Sequence, residues 1–493
     1  MPTVSVLLTG ATGYIGGLLL PRLVAGGRRV RCLVRRPERE RFGAGVEVVQ
    51  GDCLDESSLH AAMAGIDVAY YLVHSMASPG RFEDLDRQAA LTFGAAAAAA
   101  GVKRIIYLGG LGEEGDALSQ HLRSRRETGD ALRESGVPVV EFRCSIVIGA
   151  GSLSFEMVRA LVERLPVMVC PKWVSVKAQP IAVDDVLEYL EDAADAGGHA
   201  NVVCEIGGPD VVSYGDIMRE YAKQRGLTRR LIPVPLLTPR LSSLWLRLVT
   251  PLYARVGRAL IEGMRNRTVV TNPREALRFA VEPRGLARAV ADAIAQRGTR
   301  VEAGLERIGT PYAADVLAEL RSAGCLLDSR ERVVRAPAED AFAPVAAIGG
   351  ETGWYYGNCL WRLRAWLDRM VGGIGMRRGR RDPAVCSVGD AVDFWRVAAV
   401  EPNRRLTLRA EMKVPGRAWL QFDVQPIPGS ANVRLRQTAL FDPRGLFGLL
   451  YWAAMLPAHA VIFRGMVRRI AAEGERHGEL KVRPPRPWRV YSR

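Results

Sequence analysis

The chain has 493 residues, too long for one ordinary domain and comfortable for two or three. With 48% hydrophobic and 25% charged residues it has an ordinary globular balance, which excludes a largely disordered polymer. Of the net charge of +15, residues 301–493 supply most, with 30 basic against 20 acidic side chains, partly in MRRGRRD (376–382) and partly in the tail from Lys481. A basic surface suits nucleic acid, anionic lipid or an anionic cofactor, or is simply a solvated Arg-rich face. No zinc-finger, helix-turn-helix or RNA-stacking pattern is present, so nucleic acid is not an expected partner. The eight cysteines are scattered without a C-x-x-C pair, which predicts neither a disulfide framework nor a metal site. The chain opens on a strand pattern, and a cytoplasmic location is expected.

Strand-length apolar runs come first: VSVLL (4–8), VRCLV (30–34), VEVVQ (46–50), DVAYYLV (67–73), KRIIYL (103–108) and PVVEF (138–142). Helical stretches separate them, including the alanine-rich LTFGAAAAAAG (91–101). This alternation predicts an α/β, Rossmann-like, doubly wound parallel sheet with helices on both faces.

TGATGYIGG (9–17) follows the first strand and puts Gly10, Gly13 and Gly16 at a strand-to-helix turn. Glycine lets the chain turn tightly and lets a pyrophosphate approach the backbone, while the helix start offers free N–H groups. Pro21 inside that helix predicts a kink. The second strand ends in CLVRRPERE, so Arg35 and Arg36 stand where an NAD site keeps a carboxylate for the ribose diol. Two guanidinium groups there suit a 2′-phosphate and predict NADP(H) as cofactor. In GDCLD (51–55), Asp52 is placed to meet the adenine amino group and Cys53 to back the ring. The expected cofactor residues are therefore Thr9, Gly10, Thr12, Gly13, Tyr14, Ile15, Gly16, Arg35, Arg36, Asp52, Cys53, Val73 and Gly109.

TGATGYIG, GDCLD, FRCSIVIG (142–149) and QPIAVDDVLEYL (179–190) together resemble the extended, atypical branch of the short-chain dehydrogenase/reductase superfamily, near the NmrA-like NADP-binding proteins. The resemblance covers residues 1–300. It implies a Rossmann domain with a small substrate lobe, into which CEIGGPDVVSYGDIM (204–218) also fits. The enzymes of that superfamily use Tyr-x-x-x-Lys on the helix after the fifth strand and a Ser or Thr at that strand's end. Here IYLGGLG places Gly109 and Gly110 at the strand end, and HLRSRRETG makes His121-x-x-x-Arg125 the nearest match in spacing. His121 is a candidate proton donor near neutral pH, with Arg125 holding ribose or phosphate, or else a surface histidine on an Arg-rich helix. His74, after the fourth strand, is the second catalytic candidate. The stretch PRLSSLWLRLVTPLYARVGRALIEGMRNR (239–267) reads as an amphipathic helix covering a hydrophobic cleft or lying on a membrane, and favours a bulky apolar substrate.

From about residue 300 the pattern changes. Residues 301–325 read as a connecting segment, and 326–493 as a separate domain. RERVVRAPAEDAFAPVAAIGG (330–350) predicts a strand and then a helix entered through Pro337. In LTLRAEM (406–412) and LQFDVQ (420–425), Leu406, Leu408, Ala410, Met412, Leu420, Phe422 and Val424 share apolar faces opposite Thr407, Arg409, Glu411, Gln421, Asp423 and Gln425. Turn signals at 401–404, 414–417 and 426–430 make these antiparallel strands. The stretch around 445–470, which contains the apolar run GLFGLLYWAAMLPAHAVIF (445–463), is expected to pack on their apolar face as a helix bent at Pro457; a membrane span is the alternative. ETGWYYGNCLWRLRAWLDRM (351–370), MRRGRRDP (376–383) and GDAVDFWRV (389–397) resemble the uncharacterised domain often fused behind such reductase-like modules, and more distantly the Bet v 1/START-like proteins. That resemblance implies an α+β helix-grip domain with an antiparallel sheet around an apolar cavity. Trp354, Tyr355, Tyr356, Trp361 and Trp366 are then either core or cavity lining.

The expected function is an NADP(H)-dependent oxidoreductase acting on a bulky hydrophobic small molecule held by the C-terminal domain. The alternatives are a non-catalytic NADP-binding sensor or assembly factor, which the missing Tyr, Lys and Ser would allow, and a lipid carrier in peripheral contact with a membrane. The sequence carries no signal for an oligomeric state.

Overall fold

The computed structural model describes residues 4–37, 42–43, 45–73, 82–112, 118–195, 197–198, 200–234, 262–379, 382 and 385–482. His74, most of the 239–267 stretch, Arg380 and Arg381 of the basic run, and the tail beyond 482 lie outside the described residues. The chain divides into two compact units, residues 1–297 and 298–493.

The first unit alternates strands and helices: β1 (Ser5–Thr9), α1 (Tyr14–Ala25), β2 (Arg29–Val34), β3 (Val46–Gln50), α2 (Glu56–Met63), β4 (Val68–Tyr71), α3 (Phe82–Ala99), β5 (Arg104–Gly110), α4 (Gln120–Arg133) and β6 (Val139–Cys144). After α5 (Leu153–Arg164) and α6 (Val183–Asp195), β7 (Val202–Ile206) completes a parallel sheet of order β7-β6-β5-β4-β1-β2-β3. Strand order reverses beside β1, which opens a crevice at the carboxyl ends of the strands.

Helices cover both faces of this sheet. On one, Leu19, Leu20 and Leu23 of α1 pack with Val186, Leu187 and Leu190 of α6. On the other, Leu59 and Met63 of α2 pack with Phe93, Ala96 and Ala97 of α3. The small residues of α3 allow close approach: a Cβ at Gly94 would lie 2.8 Å from that of Ser135. β1 and β4 are buried throughout, whereas the edge strand β3 is largely open to solvent. α1 runs from Tyr14 to Ala25 with Pro21 inside it. A second core, around Phe155, Val158, Trp173, Tyr214 and Ile217, draws on α5, on α7 (Tyr214–Gln224) and on short strands between them.

The second unit begins within α8 (Leu286–Ile308) and continues through α9 (Ala313–Ser322). Residues 301–325, expected as a connection, are thus mostly helical. Their apolar side chains Val301, Leu305, Ile308, Val316, Leu317 and Leu320 form a core with Trp419 and Leu440. Next come β8 (Leu326–Val334), α10 (Ala338–Ala346), α11 (Asn358–Met370), β9 (Arg377–Gly379), β10 (Ala391–Asp393), β11 (Trp395–Glu401), β12 (Arg405–Ala410), β13 (Gly416–Pro426), β14 (Val433–Pro443) and the long α12 (Gly445–Val482). The seven strands form one antiparallel sheet of order β8-β14-β13-β12-β11-β10-β9.

Register pairs Leu406 with Phe422 and Leu408 with Leu420, so the expected apolar face is continuous. Its main cover comes from Phe463, Met466, Val467, Ile470 and Ala471 of α12 and from Phe342 and Val345 of α10. The more hydrophobic first half of α12 contributes Trp452 but leaves Phe447, Leu450, Leu456 and Val461 exposed. By length and composition Gly445–Glu479 could cross a membrane, and only 22% of its most apolar stretch is buried. The helix continues through Pro457. Of the aromatic cluster, Trp354 and Trp361 are buried, Tyr355 is half-buried, and Tyr356 and Trp366 are exposed.

The opposite face of this sheet is also buried. Arg405, Thr407, Gln421 and Asp423 are nearly inaccessible, and they bond to one another and to the 301–325 helices. Gln421 Nε2 donates to Leu305 O at 2.9 Å. The period-two alternation therefore separates an apolar core from a hydrogen-bonded polar layer, not from solvent.

Candidate functional site

All strands of the first sheet run the same way, so the segments that follow them meet along one edge. Gly10–Gly16 follow β1, Arg35 and Arg36 follow β2, Asp52 and Cys53 lie just past β3, and Val73 just past β4. Leu111 follows β5, and Ser145 follows β6.

At the first of these turns, Gly10 has φ +70°, and a Cβ there would lie 2.4 Å from Leu72 O. A Cβ on Gly16 would lie 2.2 Å from Gly10 O, and Gly13 N donates to the same oxygen at 2.8 Å. The loop is folded so tightly on the start of α1 that only glycine fits at 10 and 16. Gly13 stands at the N-cap of α1 with no side-chain cap bond, and the first turn has no acidic residue. Its N–H groups and positive dipole end are therefore available to an anion. Thr12 and Gly13 are exposed, Tyr14 and Ile15 half-buried. The Thr9 side chain is buried, its hydroxyl donates to Tyr70 O at 2.8 Å and accepts from Leu72 N at 3.1 Å, and so it joins β1 to the β4 end.

Arg35 and Arg36 are exposed directly beyond β2. Gln50 Nε2 donates to Arg35 O at 3.4 Å, which links the β2 and β3 ends. Asp52 Oδ1 accepts from Leu54 N at 3.0 Å, and Asp55 caps α2. Burial pushes the Cys53 thiol up to about 12, with Asp52 adding to the shift and Arg35 opposing it. Cys53 is thus an inert wall residue within electrostatic reach of both.

The end of β5 is crowded on both sides. A Cβ at Gly110 would lie 2.8 Å from Leu122 Cδ2 of α4, so that side chain would have to shift, and one at Gly109 would lie 3.1 Å from Glu141 Oε1 of β6. Arg125 Nη1 donates to Leu108 O at 3.0 Å, and Tyr107 OH donates to Arg125 O at 2.9 Å, so this guanidinium is tied to β5. Burial, with a smaller contribution from Arg125, lowers His121 to about 4. His121 is accordingly a neutral imidazole near pH 7 and does not carry the extra proton a strong donor would need.

One polar pair at this edge was not singled out from the sequence. Gly110 pairs in register with Cys144, so Ser145 emerges beside the hydroxyl position that β5 lacks. Its Oγ lies 2.6 Å from Thr268 Oγ1. Asn266 Oδ1, two residues away, accepts from Ser119 N at 3.0 Å at the start of α4. Segment 264–270 therefore bridges α4 and the β6 end, a long-range link with no local signal. Gly149 was likewise missed: a Cβ there would lie 2.3 Å from Tyr14 OH.

A glycine-lined, uncapped helix start at the carboxyl edge of a parallel sheet defines a dinucleotide-binding Rossmann protein. Comparison with known proteins agrees. Residues 10–144 match the NAD(P)H-binding family, and residues 325–466 match a family described as a protein of unknown function, DUF2867. The (4-alkanoyl-5-oxo-2,5-dihydrofuran-3-yl)methyl phosphate reductase of Streptomyces griseus is 35% identical over 217 residues, 42% of this chain and 69% of that protein. The ceramide reductase of Caulobacter vibrioides is 29% identical over 235 residues, 47% of this chain and 73% of that protein. The crystal structure of the Citrobacter triphenylmethane reductase with NADP(H) is 20% identical, with a TM-score of 0.47, over 59% of this chain and 99% of that one. The chain belongs to the same family as the Streptomyces reductase. It carries an NAD(P)H-binding domain, followed by a DUF2867 domain.

Proposed function

We propose that the protein is an NADP(H)-dependent reductase of a bulky hydrophobic molecule. The observation that carries this reading is the uncapped α1 start, wrapped by Gly10 and Gly16, at the same edge as the exposed Arg35 and Arg36. The pyrophosphate would meet the α1 N–H groups, the 2′-phosphate the two arginines, and adenine the Asp52–Cys53 turn. Bound there, NADPH supplies the hydride. Ser145 and Thr268 present hydroxyls beside β5 and would hold the substrate oxygen. The reductase relatives act on an alkanoyl compound and a ceramide, which favours a substrate with a long aliphatic part.

In this reading the C-terminal unit follows a helix-grip plan and holds the hydrophobic molecule. Support comes from α12 lying on one face of the antiparallel sheet and from an apolar cavity between α11, α12 and that sheet. The test is NADPH oxidation by the full chain in the presence of long-chain ketones and alkanoyl lactones. Turnover with any of them, abolished by Gly16→Ala, is expected; NADPH binding without turnover on the whole panel would favour the non-catalytic alternative.

A second reading, peripheral contact with a membrane, is favoured by one observation. α11 exposes Leu363, Trp366, Leu367 and Met370, and the first half of α12 exposes Phe447 and Leu450, with Phe447 at 79% exposure. Apolar surface of this kind on a basic unit suits an anionic bilayer.

A further inference from the structure

Residues 445–463 of α12 carry no Asp, Glu, Lys or Arg over about 28 Å of helix, and Arg444 and Arg464 flank them. A helix that is apolar on every side is normally enclosed on every side. Here only one side is, where Trp452, Ile462 and Phe463 are buried in the core of the C-terminal unit. The opposite side is exposed and just as apolar: Phe447, Leu450, Ala454, Pro457 and Val461 recur at intervals of three and four residues. Arg464 and Arg468 continue the same spacing and are exposed too, so the stripe ends in two positive charges.

α11 repeats the arrangement. Leu363, Trp366, Leu367 and Met370 stand at i, i+3, i+4 and i+7, the spacing of one helix face, and all four are exposed. Leu363 and Leu367 also line the apolar cavity of about 220 Å³. So do Tyr451 and Ala458 of α12, each one turn after a residue of the α12 stripe, so the cavity adjoins both stripes. The exposed charge on these two segments has one sign. Arg362 and Arg369 are exposed on α11, whose one acidic residue, Asp368, is buried and accepts from Gly375 N at 3.0 Å and Lys413 N at 2.8 Å. From Arg444 to Arg469 the sequence holds Arg444, Arg464, Arg468 and Arg469 and no acidic residue. A second copy of this face would offer the arginines no acidic partner, whereas lipid phosphates do.

We propose that the two stripes form a face that lies in the headgroup–acyl boundary of an anionic phospholipid membrane, with the first half of α12 in the plane of the surface and the cavity mouth turned toward the acyl chains. Trp452, Ile462 and Phe463 hold α12 to the rest of its unit, so it lies along the bilayer instead of crossing it. The apolar stripes enter by about 5–10 Å, and the arginines at their ends meet the phosphates. A long aliphatic molecule then passes from membrane to cavity without crossing water. The proposal rests on the reading of peripheral membrane contact, and adds the face, the lipid charge and the direction of the cavity.

The test is flotation of the full chain with vesicles of equal parts phosphatidylglycerol and phosphatidylcholine, and with vesicles of phosphatidylcholine alone. Binding to the mixed vesicles is expected, at least about tenfold tighter than to phosphatidylcholine and weakened by high salt. Phe447→Gln with Leu450→Gln should weaken it about tenfold or more. Arg464→Gln with Arg468→Gln should weaken it about thirtyfold, at roughly fivefold per arginine. All four positions are exposed, so NADPH affinity and urea unfolding should stay unchanged. Phosphatidylcholine brominated on its acyl chains, added to the mixed vesicles, should quench the parent's fluorescence more than that of Trp366→Phe. Full binding by both double variants, equal binding to the two vesicles, or equal quenching of parent and Trp366→Phe would overturn this face and orientation alone. No binding of the parent to either vesicle would overturn the peripheral-contact reading as well. A parent that is dimeric in solution, and monomeric with Phe447→Gln and Leu450→Gln, would give the face to a second copy and overturn the proposal.

Discussion

Gly16→Ala tests the nucleotide cradle most directly. The added Cβ would lie 2.2 Å from Gly10 O, 2.7 Å from Gly10 C and 3.1 Å from Ala11 Cα, all backbone atoms that no rotamer change can move. Reaching even 3.0 Å means opening the Gly10–Gly16 gap by about 0.8 Å, because the contact starts at 2.2 Å. Overpacking of this kind costs about 1–3 kcal/mol of stability, reduced by the gain of about 1 kcal/mol that Ala brings to a helix over Gly. The larger effect falls on binding. A shift approaching 1 Å takes the α1 N–H groups out of line with a pyrophosphate, and misplacement on that scale costs about 100-fold. The control is Gly17→Ala in the same helix, where the nearest atom, Ala11 O, would be 3.3 Å away. That variant should be neutral or slightly stabilised and keep its cofactor. Both would be followed by NADPH fluorescence titration and by urea unfolding. NADPH affinity in Gly16→Ala within threefold of the parent would refute this placement of the cofactor.

Three further outcomes follow from the same geometry. Replacing Arg35 and Arg36 by Ala should weaken NADPH about tenfold or more and leave NADH nearly unchanged, measured by calorimetry; equal losses for both would remove the 2′-phosphate assignment. His121 is held near 4 against 6.5 in an open chain, so the unfolded state binds the extra proton between these values. Its contribution is complete above pH 6.5 and is lost as pH falls toward 4, at most about 3 kcal/mol. His121→Phe should flatten urea-derived stability across that window. The neutral imidazole further predicts that the variant keeps turnover at pH 7 within about tenfold, whereas Ser145→Ala loses more; the opposite order would return the donor role to His121. Finally, Arg405→Ala leaves the buried Asp423 carboxylate without its guanidinium, at 3.1 Å in the parent, and should cost about 3–5 kcal/mol in urea unfolding of the C-terminal unit.

Much of the nucleotide site was legible because its signals are local. Gly10, Gly13 and Gly16 are six residues apart end to end, and the turn they make depends on sterics inside that stretch. Arg35, Arg36, Asp52 and Cys53 could be placed at this edge from the sequence because a parallel βαβ sheet brings every strand's carboxyl end to one edge. Thr9 sits in the same motif yet is occupied by Tyr70 and Leu72, sixty residues on, and no local pattern reveals that partner.

Only the tertiary structure decided the rest, because the deciding contacts are between segments distant in the chain. Ser145 meets Thr268 across 123 residues, and Leu122 of the following helix crowds the place a Cβ at Gly110 would take. In the C-terminal unit, alternation correctly paired Leu406 with Phe422, because side chains on a strand point to opposite faces whatever surrounds them. What that pattern leaves open is what lies against the polar face. Residues 301–325 form helices there, and Gln421 bonds Leu305 O across 116 residues, so polar side chains of that face are buried and paired. The stretch around 445–470 was likewise expected to cover the apolar face, and which of its residues do so depends on which side of α12 meets the sheet. That choice falls mainly on Phe463, Met466, Val467 and Ile470, and it leaves Phe447 and Leu450 outside.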